Sequence, residues 1–95
     1  MAIRSFRDAR AERLFLGEHP GKGFPADLMR VARRKLKMLN QARSLGDLLR
    51  PPGNRLEALS GARRGQHSIR VNDQFRICFV WRDGAAVDVE FVDYH

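Results

Sequence analysis

Two hydrophobic periods divide this chain. Up to about residue 50 apolar side chains recur at helical spacing, and beyond Pro51-Pro52-Gly53 they alternate. Ala2-Ile3-Arg4-Ser5-Phe6 reads as a short strand. Ser5, with Asp8 three residues on, has the form of a capping box and predicts a helix to about Leu16. Ala11, Leu14 and Phe15 fall on its inner side, and Gly17 is the expected stop. Glu18 to Pro25 is a loop by its proline and glycine content. A second helix is predicted from Asp27 to about Arg43, because Met29, Ala32, Leu36 and Leu39 draw one apolar stripe. Asp47-Leu48-Leu49 adds a helical turn before the prolines.

The second half reads as strands. Arg55–Leu59 is the first, ending at Ser60-Gly61. His67–Val71 follows and closes on an Asn72-Asp73 turn. Phe75–Trp81 sets Phe75, Ile77, Phe79 and Trp81 on one face, with Arg76, Cys78 and Val80 on the other. Asp83-Gly84 is a strong hairpin signal, after which Val87, Val89 and Phe91 alternate with Asp88 and Glu90. Short turns imply an antiparallel meander, and the N-terminal strand must join the same sheet to pair its backbone. The expectation is an α+β fold in the order β-α-α-β-β-β-β, with both helices on one face of the sheet. Ninety-five residues suit a single domain over 1–95.

Charge changes this picture. Lys and Arg number 18 against 11 Asp and Glu, for a formal +7. The excess is uneven: residues 1–65 hold 15 basic and 6 acidic side chains, residues 66–95 only 3 and 5. A field of that size gathers polyanions, and arginine-rich surfaces favour bidentate phosphate contacts. Arg30, Arg33, Arg34 and Lys37 form a basic ridge opposite the apolar stripe of the second helix, a candidate RNA-binding face whose bland alternative is a solvated one. Arg63 and Arg64 lie in a glycine-flanked loop where guanidinium and backbone can meet phosphate; plain solvent exposure is the competing reading.

Cys78, the lone cysteine, excludes an internal disulfide framework and suits a reducing compartment. In mid-strand it reads as a small buried hydrophobe. No apolar run has the length of a membrane span, and no signal-peptide pattern follows Met1, so a cytoplasmic protein without membrane contacts is expected. His19, His67, His95 and Cys78 lack metal-ligand spacing, and neither metal nor cofactor is expected.

The run Pro51-Pro52-Gly53-Asn54-Arg55-Leu56-Glu57-Ala58-Leu59-Ser60-Gly61, then Gly65 through Arg76, and the final Asp93-Tyr94-His95 resemble HigB-type toxins. These are the plasmid maintenance killer branch of the RelE/ParE toxin superfamily. The resemblance covers essentially the whole chain and is strongest from Pro51 onward. It implies a type II toxin that enters the ribosomal A site and cleaves mRNA, restrained by a HigA-like helix-turn-helix antitoxin. Operator DNA would be reached only through that antitoxin.

Cutting RNA without a metal uses the 2′-hydroxyl as nucleophile and needs a base, a cation for developing charge and an acid for the 5′ oxygen. His95 is the best proton-transfer candidate, since free imidazole titrates near neutral pH. Tyr94 can stack on a base or transfer a proton, or simply cap the surface. Asp93 can orient an imidazole or guanidinium, or merely end its strand. The family arginine matching Arg76 stabilises the scissile phosphate, which gives Arg76, Asp93, Tyr94 and His95 as the catalytic candidates.

The chain departs from the family at one place. Many relatives carry His and Lys in the segment matching Leu56 to Gly61, where this chain has Glu57 and Ser60. His67, at a position where relatives place an aromatic, reads as structural. Two other functions stay open at this point, a ParE-like gyrase poison and a basic nucleic-acid-binding module without catalysis.

Overall fold

In the computed structural model, residues 2–94 are described. Helix α1 (Ala9–Phe15) and helix α2 (Ala26–Gln41) lie on one face of a four-stranded antiparallel sheet. The strands β1 (Glu57–Ala58), β2 (His67–Arg70), β3 (Phe75–Arg82) and β4 (Ala85–Asp93) pair in sequence order. Short 3₁₀ turns at Leu45–Leu48 and Gly61–Arg63 complete the chain.

Alternation along β3 explains the two faces. Ile77 and Phe79 are fully buried with Phe75, and they meet Leu14, Leu28, Ala32, Leu36 and Leu39 from the helices. The α2 stripe is shifted from the expected one: Leu28 is buried, Met29 only partly, and Lys35 takes a buried position. β3 and β4 are joined by Asp83 and Gly84, both left-handed (φ 51° and 74°), the backbone that a two-residue hairpin demands.

Three local expectations are corrected. Helix α1 begins at Ala9, with Asp8 as its N-cap accepting from Arg10 N at 2.9 Å, while the Ser5 hydroxyl accepts from Asp88 N at 2.9 Å. Ser5 is therefore spent on the sheet edge and caps nothing. The N-terminal segment does join the sheet, but as two isolated parallel bridges, Ile3 to Ala86 and Phe6 to Val89, along the outer edge of β4. Finally, Val87 does not share a face with Val89 and Phe91. The register shifts between Cys78 and Val80, and Asp88 adopts φ 54°. One extra residue in β4 moves every side chain before it to the opposite face, so Ala86 enters the core and Val87 pairs with Val80.

β1 is shorter than the predicted Arg55–Leu59 because Arg55 is left-handed (φ 44°). That elbow turns the preceding backbone to other uses. The Asn54 carbonyl accepts from Arg70 N at 2.6 Å, and the Arg55 carbonyl accepts from the Arg76 side chain.

Candidate functional site

The face of the sheet away from the helices is polar. Its pairing builds two rows of neighbours. Glu57, Ser68, Cys78 and Glu90 are successive register partners in one, and Arg70, Arg76 and Val92 in the next. Both rows meet at Arg76, a guanidinium side chain that is 13% exposed. Its Nε donates to Ser68 Oγ at 2.7 Å, and Nη2 donates to the Arg55 carbonyl at 2.6 Å and more weakly to the Ser68 carbonyl at 3.5 Å. Glu57 Oε1 stands 3.9 Å from Nη2. Among the described residues, none hydrogen-bonds Nη1, so that edge of the rigid fork faces outward from these bonds and can meet an anion.

Tyr94 lies beside that guanidinium, which sits 6.0 Å from its ring centre. The phenol oxygen is 3.9 Å from Cys78 Sγ, and the residue as a whole remains 40% exposed. Burial is the main cause that raises the Tyr94 phenol above its ordinary value, with Cys78 adding to it. The same burial raises the Cys78 thiol, against weaker lowering by Tyr94 and Arg63. Cys78 is thus fully buried under the polar face, as the sequence led one to expect.

Arg63 reaches this face from the loop after β1. Nη1 donates to Glu90 Oε1 at 2.6 Å and to Gln66 Oε1 at 3.0 Å. Arg7 approaches the other oxygen of Glu90 at 3.7 Å, and these side chains border a shallow recess of about 340 Å³. Arg64, next in the chain, is exposed.

The terminal tripeptide is divided. Asp93 pairs in register with Phe75, so alternation sets it on the opposite side from Arg76, where it accepts from Gln74 Nε2 at 3.2 Å. Tyr94 is brought to Arg76 and Asp93 is not. His95 lies outside the described residues.

The α2 ridge belongs to the helical layer, across the sheet from Arg76. Arg30, Arg34 and Lys37 are exposed and line a groove of about 470 Å³ with Met38 and Gln41. Arg33 is partly diverted: its Nε donates to the Leu14 carbonyl at 2.8 Å and ties the end of α1 to α2. A larger recess of about 660 Å³, between Ala2, the end of α2 and Gly84, is lined by Arg43 as the one charged side chain among the described residues.

Pattern reading missed Lys35 and Asn54. The Lys35 ammonium donates to the Asn54 side-chain oxygen, and the Asn54 amide donates to the Leu48 carbonyl at 3.1 Å and contacts Met38 Sδ at 3.3 Å. Both residues are buried and hold the loop before β1 against α2. A lysine on the edge of an apolar stripe gave no distinguishing signal, since such residues usually reach water. His67 stacks on Phe79 at 6.3 Å, a packing role in keeping with its reading as structural.

Comparisons with known proteins agree with this architecture. Residues 4–95 match the model of a family described as "RelE-like toxin of type II toxin-antitoxin system HigB". The chain is 38% identical over 90 residues to Toxin HigB-1 of Vibrio cholerae serotype O1, covering 95% of this chain and 94% of the relative. It is 31% identical over 90 residues to an uncharacterized protein of Haemophilus influenzae, covering 95% and 88%. With the match running from Arg4 to the end, and with the expected two helices on a four-stranded antiparallel sheet, this chain belongs to the HigB family of RelE-like toxins of type II toxin-antitoxin systems.

Proposed function

We propose that this toxin is a ribosome-dependent mRNA endonuclease that stops translation by cutting message in the A site. The observation that carries this reading is Arg76, a guanidinium braced by Ser68 and the Arg55 carbonyl with one edge left over, beside the Tyr94 ring. A cation braced in advance stabilises charge at phosphorus without reorganising during the reaction. In this reading the 2′-hydroxyl attacks the adjacent phosphorus while Arg76 holds the phosphoryl oxygens. Tyr94 stacks on a neighbouring base. Burial raises its phenol further above an ordinary value already well above neutral, and the protonated hydroxyl serves as a hydrogen-bond donor.

His95 supplies the proton to the leaving 5′ oxygen. Asp93 supports the strand end beside it, and Arg63 and Arg64 contact the RNA backbone from the loop. Arg30, Arg34 and Lys37, with the outer part of Arg33, provide a second basic surface for ribosomal RNA or for the antitoxin. That partner is a HigA-like helix-turn-helix protein through which operator DNA is reached, and the toxin acts in the cytoplasm. No helix among the described residues is long and apolar enough to cross a membrane.

The test is expression without the antitoxin, together with cleavage of message on programmed ribosomes. Growth arrest with loss of amino-acid incorporation and cuts within the A-site codon is the expected result. Arg76→Ala should lower cleavage by about 10²–10³-fold, the usual cost of one transition-state donor, while the protein keeps its fold. Intact message with stalled DNA replication would overturn this reading in favour of a gyrase poison.

A further inference from the structure

Glu90 is a carboxylate on the face that would meet RNA, where its charge alone would repel a phosphate. Its side chain is only 16% exposed. Arg63 Nη1 donates to one of its oxygens at 2.6 Å, and Arg7 Nε stands 3.7 Å from the other. Two guanidiniums share this single carboxylate, so the group as a whole keeps one positive charge. Together with Ala62 and Gln66 these side chains line the recess of about 340 Å³.

Arg63 ends the short 3₁₀ turn Gly61–Arg63, where its long side chain would otherwise sample many rotamers. Two bonds remove that freedom, and both fall on Nη1: one to Glu90 and one, at 3.0 Å, to Gln66 Oε1. Among the described residues, none hydrogen-bonds Arg63 Nε or Nη2. The guanidinium is therefore held by one corner, with the other donors of its fork unspent. Its charge acts on both Cys78 and Tyr94, which places it beside the Arg76 site.

Sheet register fixes how far apart the two cations are anchored. Glu90 pairs with Cys78, and Arg76 pairs with Val92 two residues further along β4. Arg76 and Glu90 are thus diagonal neighbours on one face, a relation that spans roughly 7–8 Å. That is comparable with one step along an RNA backbone.

We infer that the recess is the subsite for the phosphate next to the scissile one, gripped by Arg63, with Glu90 as the positioning residue for that guanidinium. The assignment rests on the ribonuclease reading above. It gives Glu90 two effects of opposite sign. Its charge repels the strand, and its bond to Arg63 keeps a donor fork where the flanking phosphate passes. Removing the carboxylate should then harm cleavage even though it makes the face more positive.

Single-turnover cleavage on programmed ribosomes tests this with wild type, Glu90→Ala, Glu90→Gln, Arg63→Ala and the Arg63→Ala, Glu90→Ala double variant. Melting curves report the fold of each. Glu90→Ala should cut roughly 10–100-fold more slowly, the scale of a misplaced binding group, and Glu90→Gln, which keeps an acceptor in place, should lose less. In the Arg63→Ala background the Glu90→Ala change should cost nothing further, because no guanidinium is left to position. A neutral methylphosphonate on the 5′ or the 3′ side of the scissile linkage identifies the phosphate: on one of these two messages, wild type and Arg63→Ala should cut at the same rate.

Glu90→Ala cutting as fast as wild type, or faster, would overturn the positioning role. So would an equal loss from Glu90→Ala with and without Arg63. If Arg63→Ala is slower than wild type by the same factor on all three messages, its phosphate lies elsewhere and the subsite is wrong. A wild-type protein that leaves every message intact would refute the ribonuclease reading, and the subsite with it.

Discussion

Lys35 and Asn54 show how much depends on two side chains that touch no part of the polar face. Asn54 receives the Lys35 ammonium on its oxygen and spends its amide on the Leu48 carbonyl, while its own carbonyl takes Arg70 N. The next carbonyl along, that of Arg55, braces Arg76. Removing the Asn54 side chain leaves a buried ammonium with its bond unmade, which costs more than a neutral hydrogen bond. Asn54→Ala should therefore lower unfolding free energy by roughly 2–3 kcal/mol in urea titrations. Burial, followed by the charges of Arg34 and Arg70, pushes the Lys35 ammonium below the ordinary lysine value. Between that lowered value and the unfolded one, the unfolded chain binds more protons, so stability rises with pH across that alkaline window. A Lys35→Met variant should lack this rise when the two melting curves are compared as pH increases.

At the scale of elements, the bulge in β4 decides which residues reach the site. Asp88, at φ 54°, sits where two residues of β4 oppose one of β3, and its N–H is held by Ser5. Because of it, Glu90 falls into the row with Cys78 and Ser68 although Ala86, four residues earlier, faces the core. A left-handed residue with a branched β-carbon is strained by about 1–2 kcal/mol, whereas glycine adopts the conformation freely. Asp88→Val should thus be destabilising by about that amount, and Asp88→Gly close to neutral, in thermal or urea unfolding. Equal losses for both would mean that the aspartate side chain, and not the backbone angle, maintains the bulge.

Over the whole molecule, positive charge is carried on two layers that the sheet separates. Arg63 and Arg76 gather on the polar face, while Arg30, Arg34 and Lys37 stand on α2 behind the core. Under the proposed function, with RNA at Arg76, the ridge would be left to a different surface, ribosomal or antitoxin. Paired reversal, Arg30→Glu with Arg34→Glu, should slow ribosome or antitoxin association by roughly 10-fold or more at low salt, fading as salt is added. The rate of the chemical step, once bound, should not change. Arg33→Glu should behave differently and lower stability, because Arg33 Nε serves the Leu14 carbonyl. Stopped-flow association and melting curves on the two variants separate these outcomes.

Sequence alone determined the class of fold and the uneven positive charge of the chain. Periods of 3.6 and 2 are imposed by backbone geometry, so α2, β3 and the Asp83-Gly84 hairpin were legible from local residues. The placement of Arg76 away from the core was legible too, because its strand neighbours Phe75 and Ile77 left it only the other face. The division of Asp93 from Tyr94 followed from the same alternation, once the register of β4 was known. Tertiary structure alone decided that register, since the Asp88 bulge is held by Ser5, a residue 83 positions away. It likewise decided that Arg63 turns to Glu90, that Lys35 is buried and that Glu57 stands beside Arg76. Each of these depends on side chains far apart in the chain, and no local pattern encodes where such partners meet.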